Sequence, residues 1–129
     1  MMIRFCLVGP VKPYVRMTRR GKYVNAQAQQ YLASKDALRL QLKSGMQHSG
    51  YERLGREPLR VEITFGSVNH RQDLDNLVKA VLDACNGIVW EDDRWVDMIE
   101  ARREVRPGYE GFLWLWVEPV KKEENHDQP

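Results

Sequence analysis

Hydrophobic and polar positions along the chain change period several times. "IRFCLV" (residues 3–8) is a short apolar run of strand length, closed by "GPVKP". In "PYVRMTRRGKYVNA", two strand-like arms around Tyr14–Met17 and Lys22–Val24 flank the polar turn "TRRG", which predicts a hairpin. From Asn25, a suitable N-cap, a helix is expected to run to about Ser44 or Gly45. Ala28, Tyr31, Leu32, Leu38 and Leu42 form its apolar stripe, interrupted by Lys35. "SGMQHSGYERLGREP" is loop-like, with three glycines and a closing proline. "LRVEITFGS" (59–67) alternates, with Leu59, Val61, Ile63 and Phe65 on one face, as in a half-buried strand. A second helix fits Leu74, Leu77, Val78, Val81, Leu82 and Cys85, and Asn86-Gly87 stops it. A weaker strand near 95–105 and a turn from Gly108 to Gly111 follow. "FLWLWV" (112–117) is apolar on both faces, so it is expected as a central strand or one packed under a partner. The order is strand, hairpin, helix, strand, helix, strand, strand. That is an α+β (mixed α/β) domain, with a small mixed β-sheet and two main helices.

At 129 residues one domain is expected, covering 1–119, with a polar, disordered tail at 120–129. A domain of this size buries roughly two-thirds of its chain surface and needs no disulfide or structural metal. Cys6 and Cys85 lie in apolar contexts, fit no zinc spacing, and are expected as buried thiols in a reducing compartment. His48, His70 and His126 give no metal spacing either. No run approaches the length of a membrane span, so no membrane partner is expected. Charge is unevenly spread. Residues 1–60 hold 12 Lys/Arg and 3 Asp/Glu, a balance of +9; residues 61–129 hold 8 and 15, a balance of −7. Such a division suits internal pairing. It equally suits a protein that grips a polyanion with one part and holds a cation with the other.

The acids concentrate in "QDLDNLVKAVLDACNGIVWEDD" (72–93). Inside a helix, Asp73 and Asp75 would point about 200° apart, so Asp73 is expected in extended chain before the helix and Asp75 in its first turn. If "IVW" carries the chain back antiparallel to the helix, Asp92 and Asp93 return to the same end. Three carboxylates meeting there would repel unless a cation sat between them, and Mg²⁺ accepts such oxygens. Capping and the helix dipole alone also favour acids at a helix N-terminus, and acid runs are commonly solvated loops. Asp83 reads as a surface partner of Lys79 at helical spacing, and Glu91 and Asp97 as surface acids.

Taken whole, the segment resembles the central motif of the RusA family of Holliday junction resolvases, small nucleases of phages and prophages. The matching residues are Asp73, Asp75, Asn76, Leu77, Lys79, Asp83, Gly87, Asp92 and Asp93, and a looser likeness covers about 3–118. The resemblance implies a homodimeric, Mg²⁺-dependent endodeoxyribonuclease, with Mn²⁺ as a substitute. It would resolve four-way DNA junctions by paired symmetric nicks in recombination and repair, in the cytoplasm of a bacterial or phage-infected host cell. Asp73, Asp75 and Asp93 would be the metal ligands and essential carboxylates, and Lys79 the essential lysine at the scissile phosphate. Arg16, Arg19, Arg20, Lys22, Arg71, Asn76 and Lys79 would contact DNA. Asp92 is less securely aligned, and Gln72 stands where the family usually has a basic residue or proline. Two alternatives are a nuclease that prefers flaps or forks and a non-catalytic DNA-binding protein that keeps the fold.

Overall fold

A computed structural model describes residues 2–9, 11–15, 26–67 and 70–121. Strand β1 (Ile3–Val8) leads to helix α1 (Ala26–Ser49), strand β2 (Leu59–Ser67) and helix α2 (Leu74–Cys85). A 3-10 turn (Asp93–Trp95), strand β3 (Val96–Val105) and strand β4 (Phe112–Pro119) complete the described fold. This is the α+β domain expected from the sequence. The basic hairpin with Arg16, Arg19, Arg20 and Lys22, the N-cap Asn25 and the end of the polar tail lie outside the described residues.

The four strands form one mixed sheet in the order β1-β4-β2-β3. β4 is central and antiparallel to both neighbours, as its two-faced apolar pattern requires. Leu113, Leu115 and Val117 are buried on one face, and Trp114 and Trp116 are half-buried on the other. β2 alternates as expected, with Leu59, Val61, Ile63 and Phe65 buried. β2 and β3 are parallel, so β2-α2-β3 is a crossover unit with α2 returning the chain between them. That geometry sets the site: the head of α2 lies beside the end of β2, and its tail beside the start of β3. The buried face of α2 is Leu77, Ala80, Val81, Ala84 and Cys85; of the expected stripe, Leu77, Val81 and Cys85 are buried, while Leu74, Val78 and Leu82 are half-buried and pack against the core.

Three expectations are corrected. Helix α1 does not end at Ser44 or Gly45. It runs on to Ser49; Gly45 lies within it, facing the Phe5 ring of β1 so closely that a side chain there would collide with it, so its glycine serves packing rather than a stop. The stop is Gly50, whose φ of +68° only glycine adopts without strain. Cys6 is exposed, pointing away from the core on an edge strand, whereas Cys85 is fully buried. Burial pushes the Cys85 thiol well above its usual range. Iodoacetamide at pH 8 should therefore alkylate Cys6 in the folded protein and reach Cys85 only in denaturant, read by mass spectrometry.

The third correction concerns residues 87–93. "IVW" does not run back along α2. Gly87, at φ +79°, closes a tight turn in which its N–H donates to the Trp90 carbonyl at 2.7 Å. Trp90 is wholly buried, and its Nε1 donates to Asn86 Oδ1 at 2.7 Å. Leu54 clasps the same turn, donating to the Val89 carbonyl at 2.9 Å and accepting from Glu91 N at 3.0 Å. The turn is thereby fixed at the tail of α2, and the chain enters β3 from there.

Candidate active site

Asp73 is the N-cap of α2, with φ −69° and ψ 129°, extended as expected, and Asp75 lies in the first turn. The Asp73 side chain makes no cap bond; only its carbonyl engages the helix, accepting from Leu77 N at 3.1 Å. Asp75 Oδ1 accepts the N–H of its neighbour Asn76 at 3.0 Å. Both carboxylates are exposed, and neither forms an ion pair with a described residue. Two hard oxygen donors are therefore available at the end of the helix whose backbone dipole favours negative charge.

The chain entering the helix is tied from two directions. An Arg103 guanidinium nitrogen on β3 donates to the Gln72 carbonyl, immediately before Asp73. Tyr14 N donates to the Asn76 carbonyl at 3.0 Å, pinning residues 11–15 to the first turn. Between residues 12–15, helix α1 and the head of α2 opens a polar cavity of about 490 Å³, with Lys12, Tyr14, Gln30, Arg71, Asp73 and Asn76 among its walls. A smaller one of about 260 Å³, lined in part by Arg71, Gln72 and Leu77, lies on the other side of Gln72.

Lys79 is exposed, one turn down α2, and its Nζ sits 3.9 Å from the centroid of the Tyr14 ring. It is not paired with Asp83, contrary to the sequence reading. Asp83 Oδ2 instead accepts the Tyr31 hydroxyl of α1 at 2.8 Å. Burial first, and then that bond to Asp83, hold the Tyr31 phenol well above its usual range, so it remains a donor. Glu91 is a surface acid that pairs with Arg56 at 3.3 Å. Asp92 caps the 3-10 turn, its Oδ1 accepting from Arg94 N at 3.0 Å.

Asp93 stands apart from the other acids. Its Oδ2 accepts from the Asn86 amide at 3.3 Å, and Asn86 is the C-cap of α2. Twelve helical residues separate that end from Asp73, about 18 Å at 1.5 Å per residue. The expected convergence of Asp93 with Asp73 and Asp75 does not occur within one chain. Among the described residues no three His, Cys, Asp or Glu side chains are grouped closely enough to hold a metal ion. Sequence reasoning also missed Tyr14 and Arg103. Tyr14 read only as part of a hairpin arm, and nothing local marks Arg103, whose role depends on the β2–β3 register.

Residues 8–110 match the family model described as Endodeoxyribonuclease RusA, a span that includes Asp73, Asp75, Lys79 and Asp93. The fold, the acids at the head of α2 and this match together define a DNA endonuclease. The chain belongs to the RusA family, whose activity is endonucleolytic cleavage at Holliday junctions in recombination. No curated protein matches the chain. No described helix is long and apolar enough to cross a membrane.

Proposed function

We propose that this chain is a divalent-metal-dependent Holliday junction resolvase that acts as a homodimer and nicks two opposing strands. The observation that carries the reading is the pair Asp73 and Asp75, two exposed carboxylates at one helix head, neither in an ion pair with a described residue. Their chemistry suits Mg²⁺, which takes one or two carboxylates and completes its shell with water and phosphate oxygens; Mn²⁺ shares that preference. When bound, the ion supplies a more acidic water and neutralises charge gathering on the phosphoryl oxygens. Asp73 and Asp75 hold it, and Arg103 keeps the backbone before Asp73 from shifting. Lys79 offers a positive charge to the phosphate undergoing attack. Arg71 and Asn76, both lining the 490 Å³ cavity, are candidates for positioning the DNA backbone. Arg16, Arg19, Arg20 and Lys22 would extend that grip independently of sequence.

Asp93 joins the pair only from a second copy. β3 is an edge of the sheet, ten residues long, with Met98 and Ile99 nearly half exposed. Long apolar edges invite pairing. Two β3 strands paired antiparallel about Ile99 would bring the 3-10 turn that carries Asp93 in one copy towards the Val105 end of the other copy's β3. Val105 pairs with Ser67 of β2, close before the Asp73 segment in sequence. Each copy would then complete the other's site, giving two sites related by a two-fold axis, as paired nicks require.

The test is cleavage of an end-labelled mobile four-way junction, with flaps and forks alongside. Paired nicks with Mg²⁺ and none with EDTA are expected. Faster cutting of flaps or forks would replace the junction as substrate. Binding without cutting under any divalent metal would overturn the enzyme reading in favour of a DNA-binding protein.

A further inference from the structure

We infer that Tyr14 is a positioning residue, whose ring face holds the Lys79 ammonium ready for the scissile phosphate. The inference rests on the reading of Lys79 as the cation that meets that phosphate. Lys79 sits at helical spacing between two carboxylates, Asp75 and Asp83, and either could draw its charge aside. Neither does. Asp83 is occupied by the Tyr31 hydroxyl at 2.8 Å, and Lys79 Nζ lies over the Tyr14 ring, 3.9 Å from its centroid. Lys79 makes no ion pair with a described residue.

The ring itself is held on two sides. Its backbone N–H is bonded to the Asn76 carbonyl at 3.0 Å, three residues before Lys79 on α2. The Tyr14 and Tyr31 rings meet at 5.6 Å between centroids and 78° between planes, the T-shaped contact that aromatic quadrupoles favour. Tyr31 thus does two jobs from one buried position on α1. It wedges Tyr14 in place and removes Asp83 as a competitor for the ammonium. Tyr14 also lines the 490 Å³ cavity that contains Asp73, so the lysine is kept at the margin of the space that would receive the phosphate.

An aromatic face suits this task for a physical reason. It attracts a cation without neutralising it, so the full positive charge remains for the incoming phosphate. A carboxylate partner would hold the lysine more tightly and cancel its field. The ring confines the ammonium to one place before substrate arrives, which reduces the ordering left to do at the reaction step.

The experiment varies the ring's electrostatics at nearly constant shape. Tyr14→Phe should cut four-way junctions within about twofold of wild type, and Tyr14→Leu about tenfold more slowly in kcat, with KM little changed. Phenylalanines carrying one, two and three ring fluorines at position 14 should lower kcat stepwise, because each fluorine weakens the face's attraction for a cation. A merely structural ring would give a flat series. In parallel, the Lys79 ε-methylene protons should be shifted upfield by the ring current in the DNA-free protein. That shift should persist in Tyr14→Phe and vanish in Tyr14→Leu. An active enzyme with a flat fluorine series, or no upfield shift in wild type, overturns the positioning role and leaves the nuclease reading standing. A wild-type protein that cuts no DNA while showing the shift overturns the nuclease reading, and the catalytic purpose of the contact with it.

Discussion

Mixing equal amounts of the Asp75→Asn and Asp93→Asn proteins is expected to restore junction nicking that neither variant shows alone. Each variant by itself should lose cleavage by on the order of 10²–10³-fold, since each removes charge that holds the metal ion or faces the reacting phosphate. The basis for the rescue is the position of Asp93. Its carboxylate is bonded to the C-cap Asn86, while Asp75 is in the first turn of the same helix. If each site takes Asp73 and Asp75 from one copy and Asp93 from the other, a mixed dimer has one site with every acid intact and one with two acids missing. Random exchange makes half the dimers mixed, so about a quarter of the wild-type sites return. Those dimers have one working site and should nick one strand, leaving the junction unresolved. Nicked four-way junctions on a denaturing gel would show this directly. A mixture no more active than its parts would mean that Asp93 does not act across copies.

The second large effect concerns stability. Trp90→Ala should lower the unfolding free energy by about 3–5 kcal/mol, read by urea titration. Such a loss would take a large share of the 5–15 kcal/mol typical of a domain. Trp90 is the largest wholly buried side chain in the fold, and it closes the core beneath α2. Its indole N–H also satisfies Asn86 Oδ1 at 2.7 Å, and the Asn86 amide in turn donates to Asp93. Trp90→Phe keeps most of the apolar contact but leaves Asn86 without that donor, so about 1–3 kcal/mol is expected. The Phe variant should also loosen Asp93 and reduce cleavage more than its stability loss explains.

The elements with a clear period were legible in the sequence. β2 buries the four residues its alternation named, α2 buries Leu77, Val81 and Cys85 of its six-residue stripe, and the apolar run of β4 is central to the sheet. Asp73 as extended chain and Asp75 as first turn followed from helix geometry alone. What failed depended on partners distant in sequence. Gly45 resembles a helix stop until the Phe5 ring is placed against it. Asp83 looks paired with Lys79 until Tyr31 arrives from the other helix. The expected return of Asp93 rests on a chain reversal after Gly87, but the parallel β2–β3 pairing sends the chain onward from the far end of α2. A period of 2 or 3.6 describes an element's own faces, and it carries no information about which neighbour those faces meet.

The grip of Leu54 on the turn after α2 has a consequence for how the fold can vary. Two rungs tie one residue of the α1–β2 connection to Val89 and Glu91, with Trp90 seated in the core between them. The lengths of these two connections are therefore not independent. A residue inserted between Asn86 and Glu91 would break register with Leu54 or lift Trp90 from its seat, and would displace Asp93 with it. The matching change would have to be made in the 50–58 connection, more than thirty residues upstream.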